Sequence, residues 1–161
     1  MRIGIIGTGW VGSSVAIALL QTGVARELWL HDARDGLAEG EAMDLSHGSP
    51  FLPPAIVRAA SIAEMRECDA VVIAAGRNGK VGESRLALLQ ENATVVRALG
   101  LAFQGFHGLL VMVTNPVDVL TWVLAEASGV PYERVIGTGT LLDSARLRQV
   151  LGEELRVSPS T

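Results

Sequence analysis

Cysteine is almost absent from this 161-residue chain, Cys68 being its one example. A single thiol excludes an internal disulfide and a metal site built from cysteines, and suits a reducing, cytoplasmic setting. No histidine lies near Cys68 in sequence, so it reads as a small packing residue rather than a nucleophile. Positive charge is short as well: 13 Lys and Arg against 17 Asp and Glu leave a net charge of −4. Such a balance offers no general attraction to nucleic acid or to an anionic membrane. No apolar run approaches the ~20 residues that cross a bilayer. Met1-Arg2-Ile3 leads straight into a strand pattern, with no room for a signal peptide. Neither a linker nor a short repeat divides the chain. What is plentiful is apolar bulk, 49% hydrophobic against 19% charged. That is the composition of a well-buried globular protein, at a length that suits one domain and not two.

The most informative stretch runs from Met1 to Asp32. Arg2-Ile3-Gly4-Ile5-Ile6 has the apolar, β-branched character of a strand buried on both faces. Gly7-Thr8-Gly9-Trp10-Val11-Gly12 follows at once, then an amphipathic run from Val11 to Thr22 and a second apolar stretch, Glu27 to His31, ending at Asp32. Strand, glycine turn, helix, strand and acid in this order form the fingerprint of a βαβ dinucleotide-binding unit. Gly7 permits the tight turn, Gly9 lets backbone approach a pyrophosphate, and Gly12 lets the helix pack closely on the strand. The helix start then offers unpaired N–H groups and a positive dipole end to the phosphates. A carboxylate at Asp32 suits the ribose hydroxyls of NAD and repels the extra phosphate of NADP. Arg34 stands two residues on, and NADP remains the weaker second choice.

The rest of the chain alternates between the same two kinds of element. Gly36 to His47 has helical composition with a partial apolar stripe, Gly48 to Pro54 is a breaker cluster, and Ile56 to Ala59 is a short strand. Ser61 caps a brief helical turn through Met65. Ala70 to Ala75 is the clearest central strand, followed by a glycine-containing loop from Gly76 to Gly82 and a long helix from Glu83 to about Phe103. Leu109 to Val113 is the next strand, ended by Thr114-Asn115-Pro116. A helix from Val117 to Ala127 stops at Gly129, Val135-Ile136 forms a last strand, and Gly137-Thr138-Gly139 turns into a helix of roughly Asp143 to Leu151. This alternation predicts a doubly wound α/β domain with a parallel six-stranded sheet in the order 3-2-1-4-5-6, the Rossmann arrangement. The loops at Gly7, Asp32, Gly76, Asn115 and Gly137 all open on the carboxyl edge, where such sheets bind ligands.

Three stretches resemble one family. They are Gly76-Arg77-Asn78-Gly79-Lys80-Val81-Gly82-Glu83-Ser84-Arg85-Leu86, then Val113-Thr114-Asn115-Pro116-Val117-Asp118, then Val135-Ile136-Gly137-Thr138-Gly139-Thr140-Leu141-Leu142-Asp143-Ser144-Ala145-Arg146. With the glycine turn, they are similar in kind and order to the NAD-dependent L-lactate and malate dehydrogenases and the related L-2-hydroxyisocaproate dehydrogenases. The resemblance implies hydride transfer between a 2-hydroxy acid and NAD, a homodimer or homotetramer with the Gly36 to His47 segment in the contact, and no metal. It implies cofactor contacts from Gly7, Gly9, Trp10, Val11, Gly12, Asp32, Ala75, Gly76, Thr114 and Asn115. It also implies catalytic parts for four residues. Arg85 polarises the keto oxygen, Asn115 contacts substrate, Arg146 grips the substrate carboxylate with its planar fork, and Asp143 orients a catalytic histidine. On spacing alone, Arg85 pairs with Glu83 or Glu91 on a helix surface, Asn115 makes an ordinary Asn-Pro turn, and Asp143 and Arg146 form an i,i+3 ion pair.

Two departures from the family pattern bear on substrate and activity. Gly79 occupies the position where lactate enzymes carry glutamine and malate enzymes arginine, so no side chain there greets a second carboxylate. Arg77 or Lys80 could turn in to supply one. The Gly82-Glu83-Ser84-Arg85 spelling follows the lactate branch. Lactate is therefore the first expectation, branched 2-hydroxy acids the second and malate the third. The family's catalytic histidine belongs to a Gly-Glu-His-Gly-Asp stretch further along than Arg146, and His31, His47 and His107 do not match it. The chain reads as the cofactor half of a longer protein, its substrate domain absent and its activity alone nil. A free-standing NAD-binding module is the competing expectation, whereas a methyltransferase or nucleotide-sugar domain on the same fold lacks the later motifs.

Overall fold

A computed structural model describes residues 1–79 and 82–160. Six parallel strands form one sheet: β1 (Arg2–Ile6), β2 (Glu27–His31), β3 (Ile56–Ala59), β4 (Ala70–Ile73), β5 (Leu109–Met112) and β6 (Val135–Gly137). Their spatial order is β3-β2-β1-β4-β5-β6, as the alternation of elements predicts. The helices are α1 (Trp10–Thr22), α2 (Leu37–His47), α3 (Arg85–Ala102), α4 (Val117–Ser128) and α5 (Leu141–Leu155).

The two-residue period of the strands divides the core between the faces of the sheet. Ile3 and Ile5 of β1, Leu28 and Leu30 of β2 and Val72 of β4 pack with Ala16 and Leu20 of α1 and Ala38, Ala42 and Leu45 of α2. Their neighbours Ile6, Trp29, Val71 and Ile73 turn to the other face, under Val96 and Leu99 of α3, Phe103 just past its end, and Leu120 and Leu124 of α4. Both faces being covered explains why these strands read as continuous apolar runs. Trp29 closes the second core from outside, lying beneath the guanidinium groups of Arg2 and Arg58, 4.5 and 3.8 Å from its ring centre.

The boundaries differ from the sequence reading where capping chemistry decides them. The long helix begins at Arg85 rather than Glu83, because Ser84 adopts an extended backbone and its hydroxyl accepts from the Leu86 amide at 3.2 Å. The turn expected from Ser61 to Met65 lies at Glu64–Glu67. It is closed reciprocally, the Glu64 amide donating to Ser61 Oγ and the Ser61 amide to Glu64 Oε2. The breaker cluster after α2 contains a further short 3₁₀ turn, Ser49–Phe51, with Pro50 in its first turn. The last helix is longer than Asp143 to Leu151. Every residue of it except Gly152 is exposed, including Leu141, Leu142, Leu147, Val150 and Leu155.

Candidate cofactor and substrate site

The glycine turn is built from three different constraints. Gly7 has φ +94°, and a Cβ there would stand 2.6 Å from the Ala75 nitrogen, so the turn is pressed against the loop after β4. A Cβ on Gly12 would fall on the Gly7 carbonyl oxygen, which is how closely α1 approaches β1. The side of Gly9 where a Cβ would project faces open space. Gly9 is also the cap residue of α1, and no side chain caps that helix start. The first-turn N–H groups are thus left to an external acceptor. Trp10 and Val11, just beyond, are exposed.

Asp32 lies next to this turn because the Gly7 amide donates to the His31 carbonyl at 2.8 Å, tying the ends of β1 and β2 together. Its carboxylate is crowded with donors. Oδ2 accepts from the Thr8 amide at 2.9 Å, from Thr8 Oγ1 and from Arg34 Nη2, while Oδ1 accepts from the Arg34 amide and Nε, both at 3.0 Å. Burial alone would raise the carboxyl pKa. The hydrogen bonds from Arg34 and Thr8, with the Arg34 charge, outweigh it and bring the group down to about 2. The Asp32 carboxylate forms one wall of a hollow of about 380 Å³ that also includes His31, Arg34, Gly36, Ala60 and Ser61. His31 is a plain polar histidine here, its Nδ1 3.1 Å from the Ala60 carbonyl oxygen.

On the other side of the turn, a smaller hollow of about 240 Å³ is lined by Val11, Gly76, Gly79, Leu88, Thr114 and Asn115, among others. Thr114 Oγ1 donates to the Ala75 carbonyl at 2.8 Å, joining the loops after β4 and β5. Asn92, buried on α3, holds the same loop from below, its Oδ1 accepting from the Arg77 amide at 3.0 Å. Because β1 and β4 are neighbours while the chain proceeds outward in both directions, the glycine turn stands between the two hollows at the switch point of the sheet.

The other candidate residues are placed differently. Arg85 opens α3, exposed, and lines neither hollow. Glu83 and Glu91, the partners that spacing offers it, are engaged by Arg77, which donates to Glu83 through both terminal nitrogens and to Glu91 through Nε. Those hydrogen bonds, Glu83 first and Glu91 second, raise the Arg77 pKa still further. The guanidinium is therefore committed to these two acids, although Arg77 lines the same hollow as Gly79. Lys80, the other residue considered for that purpose, lies outside the described residues. Asp143 and Arg146 form the i,i+3 pair at 3.1 Å on the first turns of α5, with both side chains about two-thirds exposed or more, at 71% and 67%. Cys68 is buried in the core, and burial pushes its thiol up to about 11, which suits packing and not nucleophilic chemistry. Among the described residues, no three His, Cys, Asp or Glu side chains are grouped to hold a metal, and no helix is long and apolar enough to cross a membrane.

Residues 1–137 match the sequence model of the lactate/malate dehydrogenase NAD-binding domain. The chain belongs to that family. It is 46% identical to the L-lactate dehydrogenase of Geobacillus thermodenitrificans over 99% of its own length and 51% of the relative's. It is 48% identical to L-lactate dehydrogenase 2 of Bacillus anthracis over 98% of its own length and 51% of the relative's. Its fold superposes on the minor L-lactate dehydrogenase of Enterococcus mundtii in a ligands-bound form with a TM-score of 0.94 at 40% identity, covering 99% of this chain and 52% of that one. The apo malate dehydrogenase of Picrophilus torridus gives 0.91 at 36% identity, with 99% and 52% covered. The chain thus spans about half the length of the relatives that it matches.

Within this lactate/malate dehydrogenase domain, two features were missed by sequence reasoning. One is the fork of Arg34 on Asp32, signalled only by an acid and a base two residues apart. The other is the clamp of Arg77 on Glu83 and Glu91, which no local spacing announces.

Proposed function

We propose that this chain is the coenzyme-holding half of an L-2-hydroxy acid dehydrogenase, acting on lactate in preference to branched 2-hydroxy acids and these in preference to malate. The observation that carries the reading is the conjunction at the switch point: an uncapped helix start, the open side of Gly9 and an ionised Asp32 at the neighbouring strand end. Together they fit an adenine dinucleotide. Trp10, Val11 and Gly12 would flank its diphosphate, Asp32 its adenosine ribose, and Ala75, Gly76, Thr114 and Asn115 its nicotinamide half. When bound, NAD accepts or returns a hydride.

The chain's own residues then serve the substrate. Asn115 in the smaller hollow would hydrogen-bond the reacting oxygen, and Arg85 would swing from the start of α3 to stabilise negative charge developing on it. Arg146 would release Asp143 and grip the substrate carboxylate through two parallel hydrogen bonds. Asp143 would then orient a histidine supplied from outside this chain. The Arg77 guanidinium, which lines the same hollow as Gly79, is already bonded to Glu83 and Glu91, so a second carboxylate would meet it only with those two acids beside it. This favours a monocarboxylate. The exposed leucines of α5 suit cover by a substrate domain outside this chain, and the exposed Met43 on α2 suits the subunit contact of a cytoplasmic dimer or tetramer.

Thermal unfolding with and without NADH tests the coenzyme assignment. At a hundred times its dissociation constant, NADH should add about 2.7 kcal/mol, which for a chain of this size raises Tm by roughly 5–10 °C. An unmoved transition at saturating NADH removes the reading. A second expected result concerns turnover. His31 is bonded to Ala60 in the larger hollow, while His47 and His107 are exposed elsewhere, so no histidine of this chain lines the Asn115 hollow. Purified chain should bind NADH yet leave pyruvate unreduced in a stopped-flow or steady-state absorbance assay. Turnover by the chain alone would show that proton delivery has been assigned to the wrong group.

A further inference from the structure

We propose that Arg34 is a second coenzyme-discriminating residue: a displaceable counter-ion of Asp32 whose freed guanidinium accepts a 2′-phosphate, so that this domain tolerates NADP to a degree that Asp32 alone would forbid. The inference rests on the coenzyme reading above.

The Asp32 carboxylate has room for about four hydrogen bonds, and five donors already converge on it. A ribose diol can reach it only if some donors leave. The Thr8 amide and the Arg34 amide are backbone and fixed in place, and Thr8 itself is buried. The guanidinium is the mobile party, on a side chain 67% exposed, against 8% for Asp32. Once displaced, it remains at the mouth of the hollow that it and Asp32 both line.

A phosphate on the 2′-oxygen arrives at that same mouth. It meets the Asp32 charge, which repels it, and the Arg34 fork, whose paired donors match a phosphate in geometry and sign. The remaining charged residues around the hollow are Asp35, Glu39 and Glu64, and Glu64 is held by Arg58 and Ser61. The setting as a whole is acidic, which keeps NAD ahead. Arg34 is the only cation among the described residues that line the hollow, so the tolerance depends on this one side chain.

Fluorescence titration of the chain with NADH and with NADPH, on wild type, R34A and R34K, separates the possibilities. In R34A the NADPH dissociation constant should rise by about tenfold or more, the range of a lost charged hydrogen-bond pair, while that of NADH stays constant or falls, because Asp32 has been uncovered. R34K, a point charge without the fork, should lie between wild type and R34A for NADPH. The NADPH constant of wild type should also rise more steeply with salt than that of R34A. Equal changes for the two coenzymes in R34A, or no change for NADPH, would overturn the role of Arg34 while leaving the coenzyme site standing. Absence of NADH binding to wild type would instead remove the coenzyme reading itself.

Discussion

Gly12→Ala should cost about 3 kcal/mol, a fall in Tm of roughly 6–12 °C for a domain of this size, although alanine is the better helix former. The added methyl would fall on the carbonyl oxygen of Gly7, a backbone atom that cannot rotate away. Gly7 in turn has nowhere to go. Its amide is bonded to His31, its φ of +94° is fixed by the turn, and its own missing Cβ faces the Ala75 nitrogen at 2.6 Å. The helix must therefore tilt off β1, parting Ala16 and Leu20 from Ile3 and Ile5 in the core beneath. Gly40→Ala is the control that isolates this cause. Gly40 lies inside α2 with nothing within 4 Å of its absent Cβ, so the same change should stabilise by about 0.5–1 kcal/mol. Urea unfolding followed by far-UV circular dichroism reads both. A Gly12→Ala chain as stable as wild type would mean that α1 does not pack as described.

That contrast also marks how far sequence carries the argument. The glycines at 7, 9 and 12 were legible because their spacing between a β-branched run and an amphipathic run has few other uses. Strand order was legible because a helix between every pair of strands forces parallel pairing and one crossover hand. The extent of α5 was less so. Leu147, Val150, Leu151 and Leu155 follow no single buried face, and all four are exposed, so hydrophobic periodicity had no face to report. Ion-pair partners were the least legible. Glu83 and Glu91 lie at short spacing from Arg85, yet both belong to Arg77, because the Asn92 amide draws the loop after β4 back along α3. Partner choice among charges depends on the path of a loop, and local spacing does not encode that path.

Asp32→Asn is expected to alter stability, pH response and coenzyme choice together, and the three share one origin. In the folded chain the carboxyl sits at about 2 against an ordinary 3.8, a difference worth about 2 kcal/mol at neutral pH. The folded pKa is the depressed one. The contribution is thus complete above the unfolded value and fades as pH falls from about 4 to about 2. Glu64 is depressed into the same range by its bonds to Ser61 and Arg58. It remains in both proteins, so it cancels when the variant is compared with wild type. Unfolding measured from pH 7 to pH 2 should therefore show the gap between wild type and D32N closing through the acid window. A gap that stays constant would mean that Asp32 titrates as an ordinary exposed acid. The coenzyme effect follows from the same charge. An amide accepts a ribose hydroxyl more weakly than a carboxylate does, so NADH affinity should drop by roughly 10–100-fold. The 2′-phosphate loses the repulsion of Asp32 and finds Arg34 released from its carboxylate partner, so NADPH should bind more tightly than to wild type. Opposite movement of the two coenzymes on removal of a single charge distinguishes a selectivity pair from a carboxylate that merely braces the turn, since bracing would weaken both alike.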